Sequence, residues 1–373
     1  MNERKPRVLL AITVYNGRAF VPRCLASAKN LDRSTVDIDA LVLDDASPEP
    51  GFSDFIAKEC ARLGCFYYRT PRNLGIFRNV NLGLLAALEG SYDYVIISNS
   101  DVVYSTRMVT RLLAALGASV DVGSVTAWSN NVSIFSIANV DPDKELSSQE
   151  AVDWVAESLA KNLEGVAVDV PAGISFCVLI PTRVLRVVGL MDPVFGRGYC
   201  EETDWTLRSL ALGYRVTLAP AAFVYHQGRG STIAAGLVAS GHSTVPANEA
   251  VIDLRYPLFR GQVDAFIRGG ILDQLRQEPV RQLLRLAAKE FGHAVYFRKV
   301  TEVIDPQKVA CLVEESGNAV RIAFRGFEEV LPTRGNVMRT VHDFLVGGSP
   351  EATLAPVITL APSPLGHPSY PAR

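Results

Sequence analysis

Cysteine is scarce in this chain and nowhere arranged for metal or redox chemistry. The 6 cysteines among 373 residues are Cys24, Cys60, Cys65, Cys177, Cys200 and Cys311, with no CxxC pair among them. Such scatter argues against a zinc ribbon or a disulfide framework and fits free, mostly buried thiols in a reducing compartment. Long hydrophobic runs are missing too. The longest early one, "VLLAITVY", is far short of the ~20 residues a spanning helix needs, and no signal-peptide cleavage pattern follows it. A cytoplasmic protein is expected. There is no excess of positive charge: 37 Lys and Arg stand against 39 Asp and Glu, and the pI is near 6.3. Nucleic acid, which needs a concentrated basic surface, is therefore not an expected partner. Neither G-x-G-x-x-G after the first strand nor G-x-x-x-x-G-K-[ST] occurs, which disfavours a dinucleotide oxidoreductase and a P-loop enzyme. No internal repeat is visible.

What is present is apolar, at 48% of residues, and patterned for a sizeable core. From Arg7 to about Val125, short β-rich runs ("RVLLAIT", "IDALVLD", "CFYYR", "YDYVIIS", "VGSVTA") alternate with segments of helical periodicity, several ending at Gly. That alternation predicts an α/β fold with a mostly parallel sheet between helices. A polar loop follows, then a helix over "QEAVDWVAESLAKNL", strands in "VAVDVPAGISFCVLIP", a helix over "TDWTLRSLALG", and two strands, "YRVTLAP" and "AFVYH". The first domain is expected over 1–235, a C-terminal extension over 236–349 and a disordered Pro-rich tail over 350–373.

Ligands of open parallel sheets bind beyond the carboxyl ends of the strands. Here those ends are polar: Thr13, Val14, Tyr15 and Asn16 after the first, Asp44 and Asp45 after the second, Asn99 and Asp101 after "YDYVIIS". Each has a plain alternative, "DDASP" as a turn before Pro48 and "TVYNG" as a loop with Asn16-Gly17. Together they favour a pocket. Without a glycine cradle, a diphosphate beside these carboxylates requires a divalent cation between them, which makes Asp101 a candidate metal ligand.

A second acidic cluster, Glu201, Glu202 and Asp204, opens a helix in "GYCEETDWTLR". Compensation of the helix dipole accounts for one acid. Several acids together repel, and one carboxyl with a raised pKa would suit general-base work. His226 ends "AFVYH" ahead of "QGRGS", where Arg229 is placed to close over phosphates. A lone strand-end histidine is more often structural, and the neighbouring acids are what raise its standing.

These segments together resemble the family 2 glycosyltransferases, the inverting group with the GT-A fold. The resemblance spans roughly Val8 to Ser231. "ITVYNG" looks like the opening strand and loop, "LVLDDASP" the aspartate-pair motif, "RNLGIFRNVNLGL" the Asn-Gly segment, and "ISNSDVV" the D-x-D position. "VPAGISFCVLIPTRVLRVVGLMDPVFGRGYCEETDWTLR" is similar to the acceptor-side segment, and "GYRVTLAPAAFVYHQGRGS" to the closing strand and histidine.

The resemblance implies a Rossmann-like GT-A domain, its nucleotide-sugar half about 1–127 and its acceptor half about 128–235, with a smaller, mainly helical extension. It implies that Thr13, Tyr15 and Asp45 contact the nucleotide, Asp45 reading the base edge, and adds Asn16, Asp44, Asn73, Asn99 and Arg229 as donor-binding candidates. Asp101 and His226 would hold Mn2+ or Mg2+, Glu202 would be the base, and Glu201 and Asp204 would flank it. The implied partners are a UDP- or dTDP-sugar donor and a saccharide, glycolipid or natural-product acceptor. Two departures stand out: Asn99 replaces the usual first Asp, and Glu202 the commoner Asp, moving the carboxylate by about 1 Å.

A sugar-nucleotide nucleotidyltransferase is an alternative, but "TVYNGRAF" is a poor match to its Gly-rich basic loop. A noncatalytic nucleotide-sugar-binding protein is another, disfavoured by the acids at 45, 101 and 202. In "PVRQLLRLAAKEFGHAVYFRK", Arg281, Arg285 and Lys289 form one helical stripe and Leu284, Ala288 and Phe291 another. A core-packed helix is favoured there over a peripheral contact at the inner face of a membrane.

Overall fold

The computed structural model describes residues 4–137, 148–196, 198–228, 246–290, 295–297, 311–316, 318–324, 327–333 and 337–346. The chain divides into two compact units, Met1–Ile137 with Asp141–Gln274, and Ala138–Val140 with Leu275–Arg373. The expected tail over 350–373 lies outside the described residues.

The first unit begins with the predicted alternation: β1 Arg7–Val14, α1 Val21–Lys29, β2 Asp37–Asp44, α2 Phe52–Leu63, β3 Phe66–Arg69, α3 Ile76–Glu89 and β4 Tyr94–Asn99. It continues with β5 Val102–Tyr104, α4 Met108–Leu116, β6 Val122–Ser129, α5 Gln149–Leu163, β7 Val168–Asp169, β8 Cys177–Pro181, α6 Thr182–Val188, α7 Glu201–Ala211 and β9 Arg215–His226. The helices α8 Pro246–Arg255 and α9 Phe259–Arg268 close it, so the compact unit extends beyond residue 235 to 274.

The nine strands form one sheet in the order β3-β2-β1-β4-β8-β6-β9-β5, with β7 paired to β9. β3, β2, β1 and β4 are mutually parallel, and β6 and β9 run parallel to each other. β8 is antiparallel to both its neighbours, so β6 and β9 point the same way as β4. The sheet is mostly parallel, as expected.

Its faces are apolar on both sides because helices cover both. Val8, Leu10, Ile12 and Val14 join a cluster with buried residues of α1, α2 and α4, while Leu9 and Ala11 join another with α3, α6 and Trp205. Alternate β1 side chains thus enter opposite cores, each fully buried aliphatic contributing about 1.5–3 kcal/mol. α3 approaches the sheet closely at Gly83, where an added Cβ would lie 2.7 Å from the Cβ of Ala11.

Two details depart from expectation. The strands predicted as "YRVTLAP" and "AFVYH" are one, β9, with an irregularity where its partner steps from Ala127 to Trp128 while β9 steps from Ala219 to Phe223. Proline at 220 marks that break but does not end the strand, since β9 resumes its pairing beyond it. β5 was not anticipated at all: three residues carry no periodic signal, and only its antiparallel pairing with β9 creates it.

In the second unit, β10 Val295–Phe297, β11 Cys311–Ser316, β12 Ala319–Phe324 and β13 Phe327–Pro332 form a sheet in chain order. Two helices accompany it, α10 Ile271–Glu290, which begins in the first unit, and α11 Val337–Val346. Val280, Leu283 and Leu284 of α10 are buried, Arg281 bonds Glu329 at 2.7 Å and Arg285 donates to the Phe344 carbonyl at 3.0 Å. The side chains of Ala288, Lys289 and Phe291 lie outside the described residues. No described helix is long and apolar enough to cross a membrane.

Gly83→Ala should destabilise the protein. Helix propensity favours alanine by about 1 kcal/mol, but the methyl meets a side chain on an inflexible strand, and such overpacking costs about 1–3 kcal/mol. Urea unfolding should give a lower midpoint with unchanged slope; a higher midpoint would contradict the close α3–β1 approach.

Candidate active site

The carboxyl ends of β1, β2 and β4 lie side by side, Thr13 in register with Leu43 on one side and Asn99 on the other. Thr13 donates its hydroxyl to the Ser98 carbonyl at 3.3 Å. Tyr15 is half-buried just beyond. Asn16 adopts φ 56, donates its N–H to Ser47 Oγ at 2.8 Å and accepts from Glu49 N at 3.2 Å. It fastens the first strand-end loop to the second.

The two aspartates at the end of β2 are held by hydrogen bonds from neighbouring segments. Asp44 is fully buried; its carboxylate accepts from Ser47 N at 2.9 Å, Ser53 Oγ at 2.5 Å and the Tyr67 hydroxyl at 2.8 Å. Asp45 accepts from Leu74 N at 2.7 Å on one oxygen and Gly75 N at 2.9 Å on the other, with Thr70 Oγ1 at 3.2 Å. Burial raises the Asp45 pKa beyond what these bonds recover. The Asp45 carboxylate thus fastens the end of β2 to the backbone ahead of α3, with lone pairs left on its oxygens for a further donor. Asn73, half-buried, belongs to that same pre-helical loop.

Asn99, Asp101 and His226 are brought together. β4 ends at Asn99, the chain turns at Ser100 and Asp101, and β5 pairs Val102 with His226. A buried network stiffens the turn: the Tyr104 hydroxyl donates to Ser98 Oγ at 2.7 Å, and Tyr104 N donates to Ser27 Oγ at 3.1 Å. His226 Nε2 lies 3.3 Å from Asp101 Oδ1 and 3.5 Å from Asn99 Nδ2. Its Nδ1 lies 2.8 Å from the Asn131 carbonyl, an acceptor only, so Nδ1 carries the proton.

Asn130 grips the same residue's backbone, its Oδ1 accepting from His226 N at 2.8 Å and its Nδ2 donating to His226 O at 3.1 Å. Burial favours the neutral ring, yet the Asp101 charge and hydrogen bonds to Asp101 and the Asn131 carbonyl together hold the imidazole above its ordinary pKa. Asn130 and Asn131 were missed by sequence reasoning. The doubled Asn directly after a buried strand was the available signal.

An imidazole whose far nitrogen is held by a carbonyl, facing a buried carboxylate, is a fitting pair of divalent-cation ligands. Among the described residues no group of three or more His, Cys, Asp and Glu side chains forms a metal site. The donor set therefore suits a cation that takes its remaining ligands from phosphate and water.

The second acidic cluster sits on α7, directly after Tyr199 and Cys200, whose φ values of 73 and 72 are left-handed. Glu201 is buried, Glu202 half-buried, and Oε2 of each is enclosed with no hydrogen-bond partner among the described residues. Burial raises both carboxyls, Glu201 further because of the adjacent Glu202 charge. Such a pair titrates as a unit and suits proton acceptance. Asp204 differs. Fully buried, it accepts from Arg208 Nε at 2.9 Å, Arg255 Nη1 at 2.8 Å and the Tyr256 hydroxyl at 2.9 Å. It anchors α8 to α7, beside the two glutamates it was expected to flank. Arg229 lies outside the described residues.

Comparison with known proteins matches residues 10–147 to the model of "Glycosyl transferase family 2". This N-terminal region belongs to glycosyl transferase family 2. Over 235 residues the chain is 26% identical to an undecaprenyl-phosphate mannosyltransferase of Micrococcus luteus, covering 62% of this chain and 89% of that one. Among solved structures, GalNAc-T7 with UDP, GalNAc and Mn2+ aligns at TM-score 0.47 and 12% identity, over 63% of this chain and 48% of that chain. The mannosyltransferase PcManGT from Pyrobaculum calidifontis, in complex with GDP-Man and Mn2+, aligns at TM-score 0.44 and 16% identity, over 72% and 76%. The matched residues include Asn99 and Asp101, whereas α7 with Glu201 and Glu202 lies beyond them.

Asp45→Ala should lower stability by about 1.5–3 kcal/mol, the usual worth of hydrogen bonds to a charged group; an unchanged urea midpoint would contradict the structural role. Glu201→Gln should behave oppositely. A carboxyl that holds its proton more tightly when folded costs stability as pH rises from ~4.3, the unfolded value, through the folded one. The variant should therefore melt above the parent at pH 8 and close to it at pH 4. An equal difference at both pH values would sink this reading.

Proposed function

We propose that the protein is an inverting, metal-assisted glycosyltransferase that moves a sugar from a UDP- or dTDP-sugar to a hydroxyl of a saccharide, glycolipid or natural-product acceptor. The observation that carries this reading is the juxtaposition of Asn99, Asp101 and His226 at the strand ends, 3.3–3.5 Å apart around the imidazole Nε2. Asp101 and His226, with Asn99 beside them, would hold Mn2+ or Mg2+, which when bound supplies positive charge to the departing diphosphate.

Thr13 and Tyr15, at the end of β1, lie where the nucleoside would approach the same edge. Glu202 accepts the proton of the acceptor hydroxyl as its oxygen attacks the anomeric carbon. The bond from that carbon to the phosphate oxygen breaks on the opposite face, its electron pair leaving with the nucleoside diphosphate. A base held above its ordinary pKa by burial is protonated in mild acid. Activity should therefore fall on the acid side at a higher pH than an ordinary glutamate would give.

Glu202→Gln should lower transfer by at least about 100-fold while UDP binding persists; full turnover would remove Glu202 from the mechanism. Asp101→Ala and His226→Ala should weaken UDP or dTDP binding in the presence of Mn2+ and leave any metal-free binding little changed, as read by calorimetry. Tight Mn2+ binding without nucleotide would contradict the shared-ligand arrangement. Product mass spectrometry across UDP-, dTDP- and GDP-sugars, mannose included because the Micrococcus luteus relative is a mannosyltransferase, tests the donor class.

A further inference from the structure

The loop that delivers Glu202 is held in a conformation its own backbone does not favour. Tyr199 and Cys200 occupy the left-handed region at φ 73 and 72, which residues with a Cβ rarely adopt. Gly196 and Gly198 precede them at φ 66 and 135. Because Cys200 is the residue before α7, these reversed residues set the direction in which that helix departs and so where its first carboxylates lie.

One side chain gathers this loop. Asn248 of α8 is 8% exposed, and its Nδ2 donates to the carbonyl oxygens of Phe195 at 2.9 Å, Gly198 at 2.8 Å and Tyr199 at 2.9 Å. Carbonyls accept only from the amino end of the amide, so the surroundings dictate its orientation, and the three oxygens share its two N–H groups. α8 is attached to α7 a second time through Arg255 and Tyr256 on Asp204. Across the loop, Gly198 abuts Ile76, the first residue of α3, where an added Cβ would lie 3.3 Å from the side chain. The loop is clamped between α3 and α8. α8 lies outside the residues matched by the family model.

We propose that Asn248 is a positioning residue for sugar transfer: by binding the carbonyls of Phe195, Gly198 and Tyr199 it maintains the reversed backbone that directs Glu202 at the acceptor hydroxyl. The proposal rests on Glu202 being the base. A residue that merely supported the fold would lower stability and donor affinity together. A positioning residue lowers kcat and acts only through the group it positions.

The test compares Asn248→Ala, Asn248→Ser, Glu202→Gln and the double variant Asn248→Ala with Glu202→Gln in the full chain. Turnover of the sugar nucleotide identified by the donor screen, UDP affinity and melting temperature are the readouts. Asn248→Ala should reduce kcat by about 10–100-fold, the scale of a misplaced catalytic group, with donor KM and UDP affinity unchanged. The double variant should be no slower than Glu202→Gln alone. Asn248→Ser keeps one donor and should fall between; it carries the test if the alanine variant does not fold. An unchanged kcat in both Asn248 variants, a matching loss of UDP affinity, or a loss that multiplies with Glu202→Gln would overturn the proposal while leaving the base assignment intact. Full turnover by Glu202→Gln alone would overturn the base assignment, and this proposal with it.

Discussion

The seating of α3 on the sheet is the constraint on which the two halves of the site depend. Asp45 binds the backbone N–H groups of Leu74 and Gly75 just ahead of the helix, Asn79 donates to the Leu43 carbonyl at 2.8 Å, and Gly83 lets the axis approach β1. From that fixed position, Asn81 exchanges two hydrogen bonds of 2.9 Å with the backbone of Met191, in the segment leading to α7. Arg78 reaches the Gly196 carbonyl at 3.3 Å. One helix thus ties the end of β2 to the loop that carries Glu201 and Glu202. A buried carboxylate that accepts backbone N–H groups at fixed angles is a stiffer joint than an apolar contact, because misalignment leaves a charge unsatisfied.

The two chemical ends are built on different principles. Around Asp101 the parts are strands: β4 and β9 are interior to the sheet, and β5 pairs with β9, so their register fixes which side chains meet. Strand-borne groups resist displacement, which keeps Asn99, Asp101 and His226 in fixed relation. Around Glu202 the parts are a reversed loop and two helices, joined by side-chain hydrogen bonds rather than by a ladder. Strain there is retained because neighbouring groups over-determine it. Enclosing two adjacent carboxyls raises their proton affinity, whereas Asp204 is bound by an arginine pair and a tyrosine.

Much was legible in residue order alone. The alternation of β runs and helical runs predicted the sheet and its helices because both faces are covered and every layer carries its own apolar period. The strand ends stood out because polar residues interrupt otherwise buried segments at Thr13, Asp44 and Asn99. Asn248 had no comparable signal. It sits in a helix with no motif around it, and its meaning comes only from three carbonyls some fifty positions earlier.

Sequence by itself determined the α/β class, the bounds of most first-unit elements and the residue types gathered at the sheet edge, since these follow from local periodicity and turn chemistry. Tertiary structure decided what surrounds each acid. Asp44, Asp45 and Asp204 each accept from donors brought by other segments, which their positions in the sequence do not show. The pairing of β5 with β9, which places Asp101 against His226, was likewise invisible in a three-residue strand. The physical reason is the same in both cases: a carboxylate's role depends on what surrounds it, and those surroundings are assembled from residues distant in the chain.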